Sequence, residues 1–121
     1  MTESYFFDTY AIFEFIYGNP KYFRYSSCTG ITLIFNLAEL NHALKKVLDK
    51  NYADQITNDY SNMLVEVNLD DIKKAMSFRK KHHKLSAPDA IGYIVSKRLG
   101  IKFLTGDEGF KNLDNVEFIK K

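Results

Sequence analysis

Four acidic residues, Asp8, Glu39, Asp89 and Asp107, each stand where an apolar run stops or a helical pattern starts. Carboxylates gathered at one point repel one another and raise each other's pKa. A bound divalent cation removes that conflict. An all-oxygen ligand set suits Mg²⁺ or Mn²⁺ rather than zinc. Such an ion generates a hydroxide, orients a phosphate and neutralises charge that develops on its oxygens. None of this needs sulfur or imidazole, and Cys28, His82 and His83 show no zinc-ligand spacing.

Each acid also has a local explanation. Asp8 directly precedes a helical pattern and can cap it. Asp107 sits in the turn Gly106-Asp107-Glu108-Gly109. Glu39 falls three residues after Asn36, as a capping-box partner in a first helical turn. Asp89 stands in the same relation to Ser86. The case for chemistry is therefore joint, and it depends on the elements that bring the acids to one rim.

Tyr5-Phe6-Phe7 reads as a buried strand that stops at Asp8. Ala11, Ile12, Phe15 and Ile16 then recur at helical spacing, and Gly18 ends the run. Asn19-Pro20 opens a second short helix with Tyr22, Phe23 and Tyr25. Ile31 to Ile34 reads as a second strand. Asn36 is expected to cap a helix with the stripe Leu37, Leu40, Leu44, Val47 and Leu48. Another helix is expected around Tyr52 to Tyr60, and Met63 to Val67 reads as an edge strand or that helix's tail. Asn68 caps a helix through Leu69, Ile72, Ala75 and Met76. Ser86 caps the next, which Gly100 stops. Ile101 to Thr105 and Val116 to Ile119 read as strands. Strands alternating with helices predict an α/β sheet covered on both faces. In such sheets ligands bind beyond the carboxyl ends of the strands, where Asp8 and Asp107 both fall.

The totals fit one domain over residues 1–121 with one core. Ten Phe and eight Tyr, with no Trp, make aromatic packing a large part of that core. A single cysteine gives no internal disulfide. The start Met1-Thr2-Glu3-Ser4 lacks the basic and then greasy pattern of a leader, and no apolar run is long enough to span a bilayer. A cytoplasmic protein without membrane contact is the expectation. The net charge of +2, from 17 basic and 15 acidic residues, does not by itself argue for nucleic acid. With the four acids set aside, 17 basic residues face 11 acids, a body of +6 around an acidic centre.

Three blocks, in order, carry a family resemblance. They are Phe6-Phe7-Asp8-Thr9-Tyr10-Ala11, Asn36-Leu37-Ala38-Glu39-Leu40, and the stretch from Ser86 to Phe110. The last contains Ala87-Pro88-Asp89-Ala90 and Phe103-Leu104-Thr105-Gly106-Asp107-Glu108-Gly109-Phe110. Together they resemble a PIN-domain nuclease, of the kind found as the toxin in VapBC toxin–antitoxin pairs. The resemblance implies a three-layer α/β/α sandwich with a mostly parallel central sheet. It implies a metal site of Asp8, Glu39, Asp89 and Asp107 and supporting hydroxyls on Thr9 and Thr105. Phe110 would pack behind the last acidic loop. It further implies a Mg²⁺- or Mn²⁺-dependent endoribonuclease that dimerises and is silenced by an antitoxin. Tyr10 departs from the family pattern, where a smaller residue is common.

Beyond the acids, Arg79, Lys80, Lys81 and Lys84 form a basic run just before the helix of Asp89. They are candidates to hold substrate phosphates, or they finish a helix for dipole reasons. His82 and His83 are candidates for proton transfer or simply surface residues. Glu108 is a fifth acid near the rim, read as a solvated turn residue or a support to the ligands. Tyr17, Tyr22, Tyr25 and Tyr93 can stack bases or fill the core, and the aromatic stretch from Ala11 to Tyr25 can form a dimer or antitoxin contact. Three rivals remain open: a non-toxin PIN nuclease in RNA processing, a non-catalytic PIN-like nucleic-acid- or protein-binding module, and a phosphate-receiver or phosphatase-like α/β domain. The last needs a Lys at a strand end, and Lys102 fits that poorly.

Overall fold

Residues 3–121 are described by a computed structural model; Met1 and Thr2, the start of the stretch read as carrying no leader, lie outside the described residues. Strand β1 (Ser4–Phe7) leads into helix α1 (Thr9–Ile16). A 3₁₀ turn (Pro20–Tyr25), capped by the Asn19 side chain, follows, and then β2 (Thr29–Ile31). Helices α2 (Ile34–Leu44), α3 (Lys50–Asp59), α4 (Leu69–Lys81) and α5 (Ala87–Arg98) come next. Strand β3 (Lys102–Thr105), a 3₁₀ turn (Glu108–Phe110) and β4 (Val116–Phe118) end the chain.

The sheet order is β2-β1-β3-β4, and every pairing among these strands is parallel. Alternation along the strands supplies both faces. Tyr5, Phe7 and Leu104 point to one, where Ala11, Ile12, Tyr22, Leu37, Leu40 and Ala53 cover them. Phe6 and Phe103 point to the other, against Ala75, Ala90, Ile91, Val95 and Phe110. The result is the α/β/α sandwich expected from the residues. Aromatic packing dominates, with the Phe6 and Phe103 rings stacked at 5.0 Å and Phe110 on Phe103 at 4.5 Å. Each such fully buried ring contributes about 1.5–3 kcal/mol.

Asn68 and Ser86 cap the last two helices as the residues predict, and Asp71 joins Asn68 as a partner not predicted from the sequence. Asn68 and Asp71 form a reciprocal box on α4, and Ser86 and Asp89 do so on α5. Asp71 is also buried against Arg98, with bonds of 2.8 and 2.9 Å that tie α4 to α5. Gly100, at φ +69°, makes the left-handed turn after α5.

Three expectations need correction. The second strand is Thr29–Ile31, not Ile31 to Ile34, because its register is set by Ser4 opposite Thr29 and helix α2 already begins at Ile34. Asn36 is not the cap of α2; it lies inside the first turn, and its Oδ1 accepts from the Leu33 N–H at 3.3 Å. Residues Met63 to Val67 are neither helix tail nor full strand, and touch the sheet through one parallel bridge, Thr32 with Leu64. Of the tyrosines considered for base stacking, Tyr22, Tyr25 and Tyr93 are core residues, and Tyr17 is exposed. Among the described residues no helix is long and apolar enough to cross a membrane.

Candidate active site

Strand β1 lies between β2 and β3, so the chain winds away from it in both directions. After β1 it turns to α1 on one face. After β3 it turns to the Glu108–Phe110 turn, whose Phe110 is buried on the other. Diverging connections open a crevice at the carboxyl ends of adjacent strands. Asp8 follows β1 and Asp107 follows β3 at that crevice.

Asp8 extends the ladder by one residue, its N–H donating to Leu104 O at 3.2 Å. Its carboxylate makes no capping bond to α1 despite occupying the cap position. Instead the Thr105 hydroxyl donates to Oδ2 at 2.7 Å. The side chain is buried. Burial, then the charges of Asp89 and Glu39, push its pKa up to about 7, against the opposing pull of Thr105 and the Thr9 N–H. The Thr105 oxygen also accepts from the Asp107 N–H at 3.1 Å, so one hydroxyl links both strand-end acids. Asp107 itself accepts from the Gly109 N–H at 2.9 Å and is exposed.

Asp89 is half-buried, with Oδ2 accepting from the Ser86 N–H at 3.2 Å. Burial and the charge of Asp107 raise its pKa, although the Ser86 bonds pull the other way. Because α2 starts at Ile34, Glu39 lies in its second turn, beyond the reach of a capping box. Partial burial of its carboxyl group, then Asp89 and Asp107, raise its pKa. Asp8 thus senses Asp89 and Glu39, Glu39 senses Asp89 and Asp107, and Asp89 senses Asp107. Among the described residues no lysine or arginine forms an ion pair with any of the four. Nor do any three His, Cys, Asp or Glu side chains among them converge at metal-ligand distance.

The supporting residues divide. Thr105 serves the acids directly. The Thr9 hydroxyl accepts from Asn36 Nδ2 at 3.1 Å and so joins α1 to α2. Asn36 is buried at this junction, a positioning role its reading as a helix cap missed. Tyr10 forms a wall for the Asp107 loop. A Cβ on Gly106 would stand 2.3 Å from the Tyr10 ring and 2.5 Å from Ile119 O, so only glycine fits there. Glu108 points away, paired with Lys120, which holds its carboxyl below the usual range.

Of the basic run, Arg79 donates from Nε to Leu85 O at 2.9 Å and so fixes the α4–α5 turn. His82 closes α4, its ring stacked on Phe78 at 4.2 Å. Lys80, Lys81 and Lys84 are exposed. Lys81 to Leu85 line a small cavity together with Gly109, two residues from Asp107.

The PIN domain family model matches residues 5–116. No curated protein matches the chain. Solved structures similar to it include a toxin–antitoxin complex from Klebsiella pneumoniae, at 15% identity and TM-score 0.76, covering 96% of this chain and 98% of that one. VapBC-1 from nontypeable Haemophilus influenzae is similar at 12% identity and TM-score 0.73, with 97% of each chain covered. FitAcB from Neisseria gonorrhoeae is similar at 16% identity and TM-score 0.68, with 96% of each covered. At such identities the likeness is one of fold.

Proposed function

The chain belongs to the PIN-domain family, and from that premise we propose that it is a Mg²⁺- or Mn²⁺-dependent endoribonuclease, acting in the cytoplasm as the toxin of a type II toxin–antitoxin pair. The observation that carries the reading is the rim itself: four mutually repelling carboxylates without a protein cation among the described residues to offset them. Repulsion without internal compensation weakens a fold. A divalent cation compensates it, and an all-oxygen donor set is the chemistry such a cation takes. Asp8, Glu39, Asp89 and Asp107 would hold it. When bound, the ion supplies a nucleophilic hydroxide at neutral pH and neutralises charge on the phosphate.

The chain's own residues do the rest. Thr105 orients Asp8 and the Asp107 loop together. Asn36 and Thr9 set α2, and with it Glu39, against α1. Exposed lysines of the run before α5 attract the RNA backbone. Exposed Ile34, Phe35 and Leu64 border a groove of about 490 Å³ with Val65, Glu66 and Val67, suited to a largely apolar antitoxin segment. Exposed Tyr17 and Phe23 offer a second apolar surface for a homodimer.

The test is cleavage of single-stranded RNA with Mg²⁺ or Mn²⁺, run beside EDTA and Asp89→Asn controls. Cleavage is expected with metal and lost in both controls; cleavage that persists in both refutes the reading. A non-catalytic binding module is the second reading, favoured by the lack, among the described residues, of three acids converging at ligand distance. It expects RNA or protein binding with no response to Mn²⁺, which calorimetric titration with Mn²⁺ decides.

A further inference from the structure

The turn between α4 and α5 encloses a cavity of about 180 Å³ lined by Lys81, His82, His83, Lys84, Leu85 and Gly109. No lining residue is acidic. Lys81 and Lys84 form no ion pair among the described residues, whereas Lys45, Lys50, Lys74, Lys97 and Lys120 do. The space is several times the share of one water, about 30 Å³, and below the roughly 300 Å³ at which pockets for drug-sized ligands begin. It suits one small charged group better than a whole nucleotide.

The turn is held in shape before any ligand arrives. The His82 N–H donates to Phe78 O at 3.1 Å, and the Leu85 N–H to His82 O at 3.1 Å. Arg79 spans the turn to Leu85 O, and buried Leu85 anchors it to the core. A rigid turn loses little entropy when its donors engage a ligand. Gly109 completes the far wall. Its N–H is held by Asp107, so the same short loop borders the cavity at one end and the acid rim at the other. Two residues span at most about 7 Å. The cavity therefore adjoins the rim, within reach of a neighbouring phosphate on the same strand.

We propose that this cavity is an anion subsite, in which Lys81, Lys84 and the two imidazoles grip an RNA backbone phosphate next to the one at the acid rim. The proposal deepens the nuclease reading and rests on it for the identity of the strand. It assigns Arg79 to holding the turn rather than to the substrate. It also predicts that the protein acts inside a strand, where a second phosphate is available, and poorly on a terminal nucleotide.

The test is fluorescence-anisotropy binding of a labelled single-stranded RNA in EDTA, across a salt series, with circular dichroism confirming each fold. The Lys81→Met/Lys84→Met variant is compared with wild type and with Lys102→Met, which removes an exposed lysine at the start of β3, on the opposite rim. The double variant is expected to bind about 10-fold or more weakly, and its slope of log K against log salt to fall by about 0.7 for the lost phosphate contact. Lys102→Met is expected to change neither. An unchanged slope in the double variant, an equal loss in Lys102→Met, or no RNA binding by wild type overturns the subsite. In a Mn²⁺ cleavage assay the double variant is expected to raise KM and leave kcat in place. Wild type that binds with the expected slope change but cleaves nothing keeps the subsite and refutes the nuclease. Cleavage with KM and slope both unchanged in the double variant does the reverse.

Discussion

Asparagine at position 8 keeps the outline of the side chain and an oxygen for the Thr105 hydroxyl, and removes one charge from the rim. Without added metal, that charge opposes folding. The Asp8 carboxyl ionises near 3.8 in the unfolded chain and near about 7 in the folded one. Between those values the folded protein holds the extra proton. Stability therefore falls as pH rises through the window and is lowest above it. At about 1.4 kcal/mol per unit, the shift from 3.8 to about 7 corresponds to about 4 kcal/mol. Local relaxation and water entry reduce this to about 2 kcal/mol, which raises the melting temperature of the variant by about 6–10 °C. The assay is thermal unfolding by circular dichroism at about pH 5 and about pH 8, in EDTA and then in Mn²⁺. Asp8→Asn is expected to melt above wild type at the higher pH in EDTA, with the gap narrowing at the lower pH. Mn²⁺ is expected to stabilise wild type and not the variant. A variant that melts below wild type at the higher pH would show that ionised Asp8 is held by favourable contacts. Equal stabilisation of both by Mn²⁺ would detach Asp8 from the cation.

Three further outcomes are expected. Gly106→Ala drives a Cβ to within 2.3 Å of the Tyr10 ring and 2.5 Å of a backbone oxygen, so it costs about 1–3 kcal/mol; thermal melts check it, and Tyr10→Ala in the same chain restores only part because the Ile119 carbonyl stays. Asp71→Ala removes both carboxylate acceptors of Arg98, which keeps only the Glu66 carbonyl, and leaves the Asn68 N–H without its acceptor. With the Arg98 side chain 39% exposed, the loss is about 2 kcal/mol rather than the 3–5 of a fully buried pair, read from urea unfolding. Asn36→Ala strips the Leu33 N–H and the Thr9 hydroxyl of a buried partner, costing about 1–3 kcal/mol in the same assay.

What was legible in the residues was local. The Ser86–Asp89 box is spelled out over four positions and Asn68 reads as a cap; the structure forms both and adds Asp71 as the reciprocal partner of Asn68. The strand-end positions of Asp8 and Asp107 follow from where apolar runs stop. The start of α2 was not legible, because an asparagine three residues into a helix can reach back to the cap and looks in sequence like the cap itself. The actual cap position is Leu33, which carries no polar signal. The spacing from Asn36 suggests a capping role for Glu39 that its second-turn position removes. Residues joined only by tertiary pairing were equally hidden. Nothing local links Tyr10 to Gly106, or Gly109 to the turn after α4. The basic run is visible as composition, but that Arg79 braces the turn through the carbonyl of Leu85, while Lys81 and Lys84 form no ion pair among the described residues, depends on the fold.

The order β2-β1-β3-β4 has a consequence in time. The bond from Thr105 to Asp8 joins residues 97 positions apart, and β3 can take its place beside β1 only after most of the chain exists. Pairings of such long separation form late in folding. A chain growing from its N-terminus thus carries Asp8 and Glu39 well before it has Asp107 or the strand that presents it. No shortened product that ends before β3 assembles the rim, so the four acids can meet only once β3 and the Asp107 loop have been made.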